Sequence, residues 1–495
     1  MAFDIVIGRD KADKEKFEDK ALIYIGKGYV SMGNYTSLSN LIWLDVARSH
    51  VILVAGKRGS GKCLHGDTLI TLGDGSQIPI KELENNKEKA LSMNNKFKIE
   101  SSEKQGFFER KVNRILKIRL RSGKEIKLTP EHPLFTIKGW IPAQELRIGN
   151  RIATPRIIPA FGSNTMPEHE IKLLAYFLAE GHLSNGFCLF SNFDEKIVNE
   201  FKECINKFDN NLRVDIHSKP GCFRVSQKEK KYKIKEIKRN EKGQFIDNNI
   251  IYEKSSINNW FQEMRLYGKL SKEKFIPEKI LKLKKEGLSI FLNRLFSCDG
   301  SIYCKKTNTG RTWQISYSSS SEKLIRQVQS LLLRFEIISR LRYKKVKCNN
   351  KLFNSFELVL NAENVIKFIE EIGFFGKKQE REFEAKQHIL SVKRDTNIDT
   401  IPKEIWETFH PQNWAEIGRA FHYKYAKAMR ESIDYCPSRQ KLLKISEIEQ
   451  NNPLYLLATS DLFWDEIVSM EILEGNFKVY DISVPENHNF VANDI

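Results

Sequence analysis

The stretch that decides the fold runs Gly56-Lys57-Arg58-Gly59-Ser60-Gly61-Lys62-Cys63-Leu64-His65-Gly66-Asp67-Thr68. Its first seven residues fit the phosphate-binding pattern G-x-x-x-x-G-K, in which backbone N–H groups hold phosphate and the lysine reaches the outer phosphates. The candidate nucleotide-binding residues are Gly56, Gly59, Gly61 and Lys62. Cys63 stands where this pattern needs a Ser or Thr to bind Mg²⁺. No segment typical of an ATPase follows, so the sequence predicts that a different protein begins at Cys63.

From Cys63 onward the sequence resembles an intein, a self-excising insert carried inside a host protein. The resemblance rests on three segments in the expected order: Cys63 to Thr68, the T-x-x-H segment Thr129-Pro130-Glu131-His132, and Val479 to Asn493, which reads VYDISVPENHNFVAN. The third segment matches the C-terminal splicing motif of the family. Taken alone, the T-x-x-H segment also fits a turn with a capping threonine, and the third also fits a polar turn between strands.

The resemblance implies the chemistry of the N-terminal junction. Cys63 attacks the carbonyl of Lys62, and His132 protonates the departing amide nitrogen, because without that proton transfer the amide-to-thioester shift is uphill. The hydroxyl of Thr129 polarises or strains the same bond. A thiol and an imidazole are the residue types that this chemistry requires.

The resemblance also implies roles near the C-terminus. Asp481 helps to coordinate the first steps, and His488 assists the cyclisation of an asparagine. An intein closes with His-Asn followed by a host Ser, Thr or Cys, whereas this sequence ends at Asn493-Asp494-Ile495. As an intein the sequence is therefore expected to be C-terminally incomplete, capable at most of thioester formation and N-terminal cleavage.

Two similar segments lie in the middle of the chain. Leu173 to Gly181 (LLAYFLAEG) and Leu292 to Gly300 (LNRLFSCDG) both read as apolar helices that end in an acidic residue and a glycine. They resemble the two LAGLIDADG motifs of homing endonucleases, which implies that Glu180 and Asp299 bind Mg²⁺ at the scissile phosphates. A carboxylate at a helix C-terminus is disfavoured by the helix dipole, which also suggests a compensating cation. Each segment alone also fits an amphipathic helix stopped by a C′ glycine.

Lysines extend the endonuclease resemblance. Lys274 opens a K-x-I-P segment, which implies that it polarises the attacking water or stabilises charge on the phosphate. An ordinary surface lysine is the alternative. Its counterpart after the second motif is Lys377 or Lys378, and the sequence does not choose between them. Asn293 and Arg294 depart from the family, because smaller residues usually allow the two helices to approach closely there.

Composition bounds the class of protein. The chain has 495 residues, which suggests roughly two to four domains. Its formal net charge of +18 favours an anionic partner such as nucleic acid, although solvated lysine faces explain part of the excess. The eight cysteines form no C-x-x-C pair, so we expect neither a zinc site nor disulfides. No segment approaches the ~20 apolar residues that span a bilayer and no signal peptide is recognisable, which favours a cytoplasmic protein without a membrane partner.

The predicted fold is multidomain. A mostly-β, horseshoe-like Hint splicing domain (63–165, resumed at 455–495) is interrupted by an α/β LAGLIDADG endonuclease (168–392) and preceded by a partial β-rich ATPase segment (1–62). Within the first β part, Ile115 to Leu120 and Glu125 to Thr129 are expected to form a hairpin, and the tail from Asp465 is expected to form short strands.

Residues 393–454 are predicted to be helical and are a candidate DNA-contacting element. The expected helices are Lys403 to Phe409, Trp414 to Arg430 and Ser438 to Asn451. Lys424, Lys427 and Arg430 suit phosphate contacts, although a solvated helix face fits equally well.

Residues 1–62 resemble the amino-terminal part of archaeal HerA-type ATPases, which translocate DNA. Asp4 to Asp10, Ala47 to Val51 and the glycine loop carry this resemblance. It implies that a host Ser or Thr after the insert serves first as the second splicing nucleophile and later as the missing Mg²⁺ ligand. ATP and Mg²⁺ are then cofactors of the spliced host alone, which is expected to be oligomeric, and the unspliced precursor is inactive as an ATPase.

The resemblances together imply intein-mediated protein splicing, with an N–S acyl shift at the bond between Lys62 and Cys63, combined with an endonuclease. The intein is expected to be monomeric, and its endonuclease to need Mg²⁺ but no organic cofactor and to cut double-stranded DNA at the intein-free host gene. The alternative is a splicing element whose degenerate insert binds DNA without cleaving it. The sequence does not reveal the DNA target.

Overall fold

The fold is taken from a computed structural model. It describes residues 4–32, 35–47, 62–183, 188–229, 232–239, 245–252, 254–307, 310–348, 351–361, 363–392, 398–422 and 435–495. The chain divides into two compact units, Met1–Ser60 and Gly61–Ile495. Gly56, Gly59 and Gly61 of the predicted phosphate loop lie outside the described residues, as do Lys424, Lys427 and Arg430.

The first unit contains a three-stranded sheet. Its elements are β1 (Ile5–Ile7), α1 (Lys11–Phe17), β2 (Leu22–Met32) and β3 (Tyr35–Asp45). β3 lies in the centre, parallel to β1 and antiparallel to β2. The Arg9 guanidinium donates two hydrogen bonds to Asp45, of 2.8 and 3.0 Å, and the side chain of Asp10 caps α1. These polar contacts tie the helix entry to the end of the central strand.

The second unit begins with ten strands. They are β4 (Leu64–His65), β5 (Leu69–Thr71), β6 (Gln77–Pro79), β7 (Ala90–Met93), β8 (Ile99–Ser102), β9 (Gln105–Leu120), β10 (Glu125–Leu128), β11 (Pro133–Thr136), β12 (Gly139–Pro142) and β13 (Arg151–Pro155). The predicted hairpin is confirmed, since β9 and β10 pair from Arg119 opposite Glu125 to Leu116 opposite Leu128. Gly123 permits this turn because its φ of 88° is unfavourable for other residues.

The middle of the chain contains two halves that share one order of elements, apart from an additional hairpin in the first half. The first half has α2 (Glu168–Glu180), β14 (Gly181–His182), β15 (Cys188–Ser191), α3 (Glu195–Phe208), β16 (Leu212–Ile216), β17 (Cys222–Gln227), a hairpin of β18 (Tyr232–Arg239) and β19 (Phe245–Tyr252), α4 (Ser256–Glu263) and α5 (Glu278–Leu281). The second half has α6 (Lys285–Asp299), β20 (Gly300–Thr307), β21 (Gly310–Ser319), α7 (Glu322–Arg334), β22 (Arg340–Cys348), β23 (Lys351–Asn361), α8 (Glu363–Glu371) and α9 (Lys378–Ser391). The sheet orders, β14-β15-β17-β16 and β20-β21-β23-β22, are equivalent. The weak duplication in the sequence is thus a duplicated fold.

The last part contains helices and one long strand. They are α10 (Ile405–Thr408), α11 (Trp414–Ala420), α12 (Arg439–Ile448), α13 (Asn452–Ala458) and β24 (Leu462–Ser483). Helix α11 ends at Ala420, and His422 then adopts a left-handed φ of 55°, while the rest of the helix predicted to reach Arg430 lies outside the described residues. One prediction for this part was wrong. The tail forms one strand of 22 residues rather than short strands, because its first part pairs with β13 and the remainder with β9.

We use three names below. The β domain comprises residues 62–155 and 462–495, the central domain residues 168–392, and the helical segment residues 398–458. In the β domain, β24, β4, β10 and β9 pair in a closed ring. β13 pairs with the first five residues of β24. The described residues of the helical segment share a core with the β domain. Apolar side chains of this segment pack with those of the β domain and with Leu333 of α7 in one buried cluster.

Candidate functional site

Three strands of the β domain bring predicted splicing residues together. Leu64, the first residue of β4, pairs with the last residue of β10 on one side and with Tyr480 of β24 on the other. Thr129 follows β10 directly and Asp481 follows Tyr480, so the antiparallel pairing brings both beside Cys63. Long-range strand pairing therefore unites residues that are more than 400 positions apart in the sequence.

The backbone of Cys63 is held on both sides by Thr129. The Cys63 N–H donates to Thr129 Oγ1 at 3.1 Å, and the Thr129 N–H donates to the Cys63 carbonyl at 2.9 Å. The Thr129 hydroxyl also donates to that carbonyl, at 3.3 Å. His132 N–H in turn donates to the Thr129 carbonyl at 3.0 Å. The T-x-x-H segment is thus a turn fixed directly to the peptide unit of Cys63.

The thiol of Cys63 lies in a buried, charged environment. Burial raises its pKa, the positive charge and hydrogen bond of Arg110 oppose that rise, and the nearby carboxyl of Asp481 reinforces it. Arg110 lies on β9 opposite Val479 of β24. No sequence pattern pointed to Arg110, because its place beside the thiol depends on the register between β9 and β24.

The two ionisable partners of the thiol have shifted pKa values. Partial burial, reinforced by the charge of Lys62, lowers the pKa of His132 to about 4, and its Nδ1 has no hydrogen-bond partner among the described residues. Burial raises the pKa of Asp481 to about 7, although the Ile482 N–H donates to its carboxyl at 3.0 Å. At neutral pH these values leave His132 neutral and place the titration of Asp481 close to the ambient pH.

His488 lies apart from this cluster. It is exposed, in the loop after β24, with a left-handed φ of 53°. The loop is anchored by its neighbour Asn489, whose side-chain amide exchanges two hydrogen bonds of 2.8 Å with the backbone of Met93. Within the described residues, no hydrogen bond joins the His488 imidazole to Cys63, Thr129 or Asp481.

A second cluster lies at the C-terminal ends of α2 and α6, which pack side by side. Burial raises the pKa of Glu180 to about 7 and that of Asp299 to about 6, and the negative charge of Asp299 adds to the rise at Glu180. The side chain of Asn192, which the sequence did not single out, donates to Glu180 Oε2 at 2.6 Å. The duplicated fold thus places the two acidic residues close enough to interact.

No side chain fits at the two glycines that follow these carboxylates, because each glycine lies against the last turn of its own helix. A Cβ at Gly181 would lie 2.5 Å from the Phe177 carbonyl oxygen, and one at Gly300 would lie 2.4 Å from that of Phe296. Both glycines have extended φ values, of −84° and −79°. Each helix therefore ends at its glycine, as the alternative of a helix stopped by a glycine also expects, and the chain passes directly from helix into strand.

Two lysines cap the same helix ends. Lys274 Nζ donates to the carbonyls of Phe177, Leu178 and Gly181 at 2.8 to 3.0 Å, and to that of Ala179 at 3.5 Å. Lys378 Nζ donates to the carbonyls of Phe296, Ser297 and Cys298 at 2.6 to 3.2 Å. Lys274 is buried, so the surface-lysine alternative is wrong, and Lys378 rather than Lys377 is its counterpart. Part of the cationic compensation that the sequence suggested is therefore supplied by lysine.

The unusual residues of the second helix do not separate the helices. Arg294 forms a bidentate ion pair with Glu200 of α3, at 2.6 and 2.8 Å, and lies over the ring of Phe375. Asn293 Nδ2 donates to the Ile372 carbonyl at 2.8 Å. Both side chains bond to partners outside α2, whereas Leu292 of the same helix is fully buried.

The carboxylate pair is compatible with Mg²⁺. This ion takes oxygen ligands and is commonly held by one or two carboxylates, with water and substrate phosphate completing its shell. Glu180 and Asp299 provide two such groups in a partly buried position. Within the part of the chain that the structure describes, no three His, Cys, Asp or Glu residues lie together as a metal cluster. The pair therefore fits a metal shared with a substrate better than a closed structural site.

The β domain, with a buried thiol just before its first strand, has the features of a self-splicing protein. A family model described as the intein splicing domain matches residues 70–495, and the chain therefore belongs to the intein family. Among the described helices, none is long and apolar enough to cross a membrane.

Curated relatives are similar to this chain over most of its length. The chain is 31% identical over 464 residues to the replicative DNA helicase DnaB of Synechocystis sp., covering 90% of this chain and 50% of that protein. It is 30% identical over 455 residues to DnaB of Rhodothermus marinus, covering 88% and 46%. The chain spans about half the length of these relatives. A crystal structure of a DnaB intein from Synechocystis sp. PCC 6803 is 33% identical over 19% of this chain and 69% of that chain, with a TM-score of 0.18.

Proposed function

We propose that this chain performs the first step of protein splicing at the bond between Lys62 and Cys63. The observation that carries the proposal is the hydrogen bonding of Cys63, whose N–H and carbonyl are both fixed by Thr129. The N–H belongs to the scissile peptide unit, so the contact orients the bond that must break. A bond held in this way meets the positional requirement of an intramolecular attack.

The proposed step is an N–S acyl shift. The Cys63 sulfur attacks the Lys62 carbonyl carbon, the C–N bond breaks, and a thioester forms. Over the step the thiol proton is lost and the amine nitrogen of Cys63 gains a proton. Asp481, with its pKa near 7, is suited to accept the first proton. The low pKa of His132 favours hydrogen bonding to the amide nitrogen and only transient protonation.

Later steps require residues that would follow Ile495. A host Ser, Thr or Cys would take the acyl group from Cys63, and a terminal asparagine would cyclise to release the intein. We propose that His488 assists that cyclisation. Its exposed position beside the C-terminal segment leaves it available for such a contact.

The splicing proposal is tested with the chain as it stands. Incubation with an added thiol should release residues 1–62, detected by mass spectrometry. The Cys63→Ala variant should release nothing, whereas Cys436→Ala, which changes another free cysteine, should behave like wild type. Release that persists in Cys63→Ala would overturn the assignment of the nucleophile.

We propose further that the central domain is a site-specific DNA endonuclease of the LAGLIDADG class. The duplicated fold, the side-by-side helices and the convergent Glu180 and Asp299 support this proposal. Mg²⁺ held by this pair would supply Lewis-acid activation of the phosphodiester. Lys274 and Lys378 place positive charge beside the carboxylates, where it can stabilise charge on the phosphate.

The alternative is a degenerate insert that binds DNA without cutting it. Purified protein should be incubated with Mg²⁺ and DNA carrying the joined host sequence, alongside DNA in which that site is scrambled. Cleavage of the first DNA alone supports the endonuclease. A shift in gel mobility without any nick favours the alternative.

We propose that residues 1–62 come from a HerA-type host. The curated relatives of the whole chain are replicative DNA helicases and replication factor C small subunits, so this proposal rests on the first 62 residues alone. ATP and Mg²⁺ binding through Lys62, an oligomeric host, a monomeric intein and a cytoplasmic location belong to the same proposal. Restoration of ATPase activity only after splicing would test it.

A further inference from the structure

The last residues of the chain form a tight turn on the β domain. Ala492 and Ile495 exchange two backbone hydrogen bonds, of 2.9 and 3.0 Å, across Asn493 and Asp494. Those two residues have φ values of 51° and 59°, the signature of a type I′ turn. Such a turn reverses the chain, so any residue after Ile495 is directed back along the preceding segment.

Asn493 fixes one side of this turn. Its N–H donates to the Leu69 carbonyl at 2.8 Å, and its Oδ1 accepts from the Leu69 N–H at 2.7 Å. Its Nδ2 donates to the Glu125 carbonyl at 2.9 Å. These contacts lie entirely within the β domain.

Asp494 fixes the other side, and its partners come from both domains. Its buried carboxylate accepts from Ser330 Oγ of α7 at 3.1 Å and from Thr71 Oγ1 at 3.5 Å. Its backbone carbonyl accepts from the buried Lys124 Nζ at 2.8 Å. A buried carboxylate is costly unless hydrogen bonds and positive charge compensate it. Ser330, one of the donors to the Asp494 carboxylate, belongs to the central domain.

The hydroxyl of Ser330 is fully used in this contact. It donates to Asp494 and accepts from Gln77 Nε2 of the β domain at 2.8 Å. Further along α7, Gln329 Nε2 donates to the Ser122 carbonyl at 3.0 Å, and Arg334 donates to the Gly75 carbonyl at 2.6 Å. Polar side chains so deeply buried on one helix face need these partners. The buried polar side chains of α7 therefore find their hydrogen-bond partners in the β domain.

We propose that α7 of the central domain is part of the splicing scaffold, with Ser330 as a positioning residue that holds the C-terminal turn through Asp494. The inference rests on the proposed splicing function, because the turn follows the segment that carries His488. It extends that function by giving the inserted domain a role in C-terminal chemistry. Loss of the hydroxyl should loosen the turn while leaving the Cys63 cluster intact.

Hydrogen exchange tests the contact in the chain as it stands. In Ser330→Ala, the amides of Asn493 and Ile495 should exchange about tenfold faster, since a buried carboxylate loses a donor. Ser330→Thr, which retains a hydroxyl, should match wild type. Ser289→Ala is the matched control, because the Ser289 hydroxyl bonds only within the central domain, to the Glu371 carbonyl. If Ser330→Ala does not fold, Asp494→Ala removes the acceptor without altering α7 and should give the same acceleration.

Splicing tests the consequence in a chain extended through its natural downstream residues. Ser330→Ala should lower the yield of spliced product about tenfold, while thiol-induced release of residues 1–62 stays at the wild-type rate. Unchanged exchange at residues 493 and 495, or an equal loss of both reactions, would overturn the proposal. If wild type shows no thiol-induced release, the splicing function itself fails, and the exchange result still decides whether α7 holds the turn.

Discussion

The cluster around Cys63 and the cluster at the ends of α2 and α6 solve different problems with similar means. Both use burial to bring a carboxyl pKa towards neutrality, to about 7 at Asp481 and at Glu180. At the Cys63 cluster, the hydroxyl of Thr129 holds the backbone of Cys63 in place. Around Glu180 the nearby charge is a lysine that is itself held by a helix end.

The difference follows from where the substrate lies. The bond next to Cys63 is part of the chain, so the thiol can be almost completely buried, at 2% exposure, and still reach its target. Glu180 and Asp299 are only partly buried, which suits the external DNA substrate that we propose for them. The two clusters should therefore be separable by mutation, and the predictions below test that separation.

The largest expected effect is on DNA cleavage. Glu180→Gln and Asp299→Asn should each lower the cleavage rate at least ~1000-fold, because each removes an anionic ligand from a site that depends on charge. Thiol-induced release of residues 1–62 should be unchanged in both variants. Cleavage is measured on DNA carrying the joined host sequence, with release followed by mass spectrometry on the same preparations.

Glu195→Gln is the matched control for the carboxylate variants. Glu195 is exposed in the first turn of α3 and should leave cleavage unchanged. Cleavage that survives in Glu180→Gln would remove Glu180 from the site. A parallel loss of thiol-induced release would show that the two clusters are not separable.

A smaller effect is expected on the stability of the central domain. Arg294→Met leaves the half-buried Glu200 without its bidentate partner and should lower the free energy of unfolding by about 3 kcal/mol. Arg213→Met is the control, since its pair with Asp215 is exposed and should be worth less than about 0.5 kcal/mol. Urea unfolding measures both. Equal effects would mean that Arg294 does not stabilise the contact between α6 and α3.

Local sequence patterns predicted much of this fold. The features that they missed depend on how distant segments pair or pack. The hairpin of β9 and β10 and the two apolar helices were readable because their signals lie within short segments. Arg110 was not, because its place beside Cys63 depends on how β24 pairs with β9. Lys378 could not be separated from Lys377, since only the rotation of α9 places one of them over the end of α6.

Within the splicing cluster, removal of the Thr129 hydroxyl should have a moderate effect. Thr129→Ala loses the contacts to the N–H and carbonyl of Cys63 and should slow thiol-induced release about 30-fold, equivalent to ~2 kcal/mol. Thr129→Ser should restore most of the rate. Thr154→Ala is a control, because that hydroxyl bonds elsewhere, to the Phe463 carbonyl. Unchanged release in Thr129→Ala would mean that the hydroxyl does not act on the scissile bond.

The smallest effect concerns pH, and it distinguishes Asp481 from His132. The folded pKa of Asp481 is raised to about 7, so its carboxylate is lost as pH falls through 7. If this carboxylate accepts the thiol proton, the release rate should drop about tenfold from pH 8 to pH 6. His132, with a pKa lowered to about 4, stays neutral over that range and should add no step. Because the added thiol also ionises with pH, the informative quantity is the ratio of wild-type to Asp481→Asn rates at each pH. A ratio that stays constant from pH 6 to 8 would exclude Asp481 as the base.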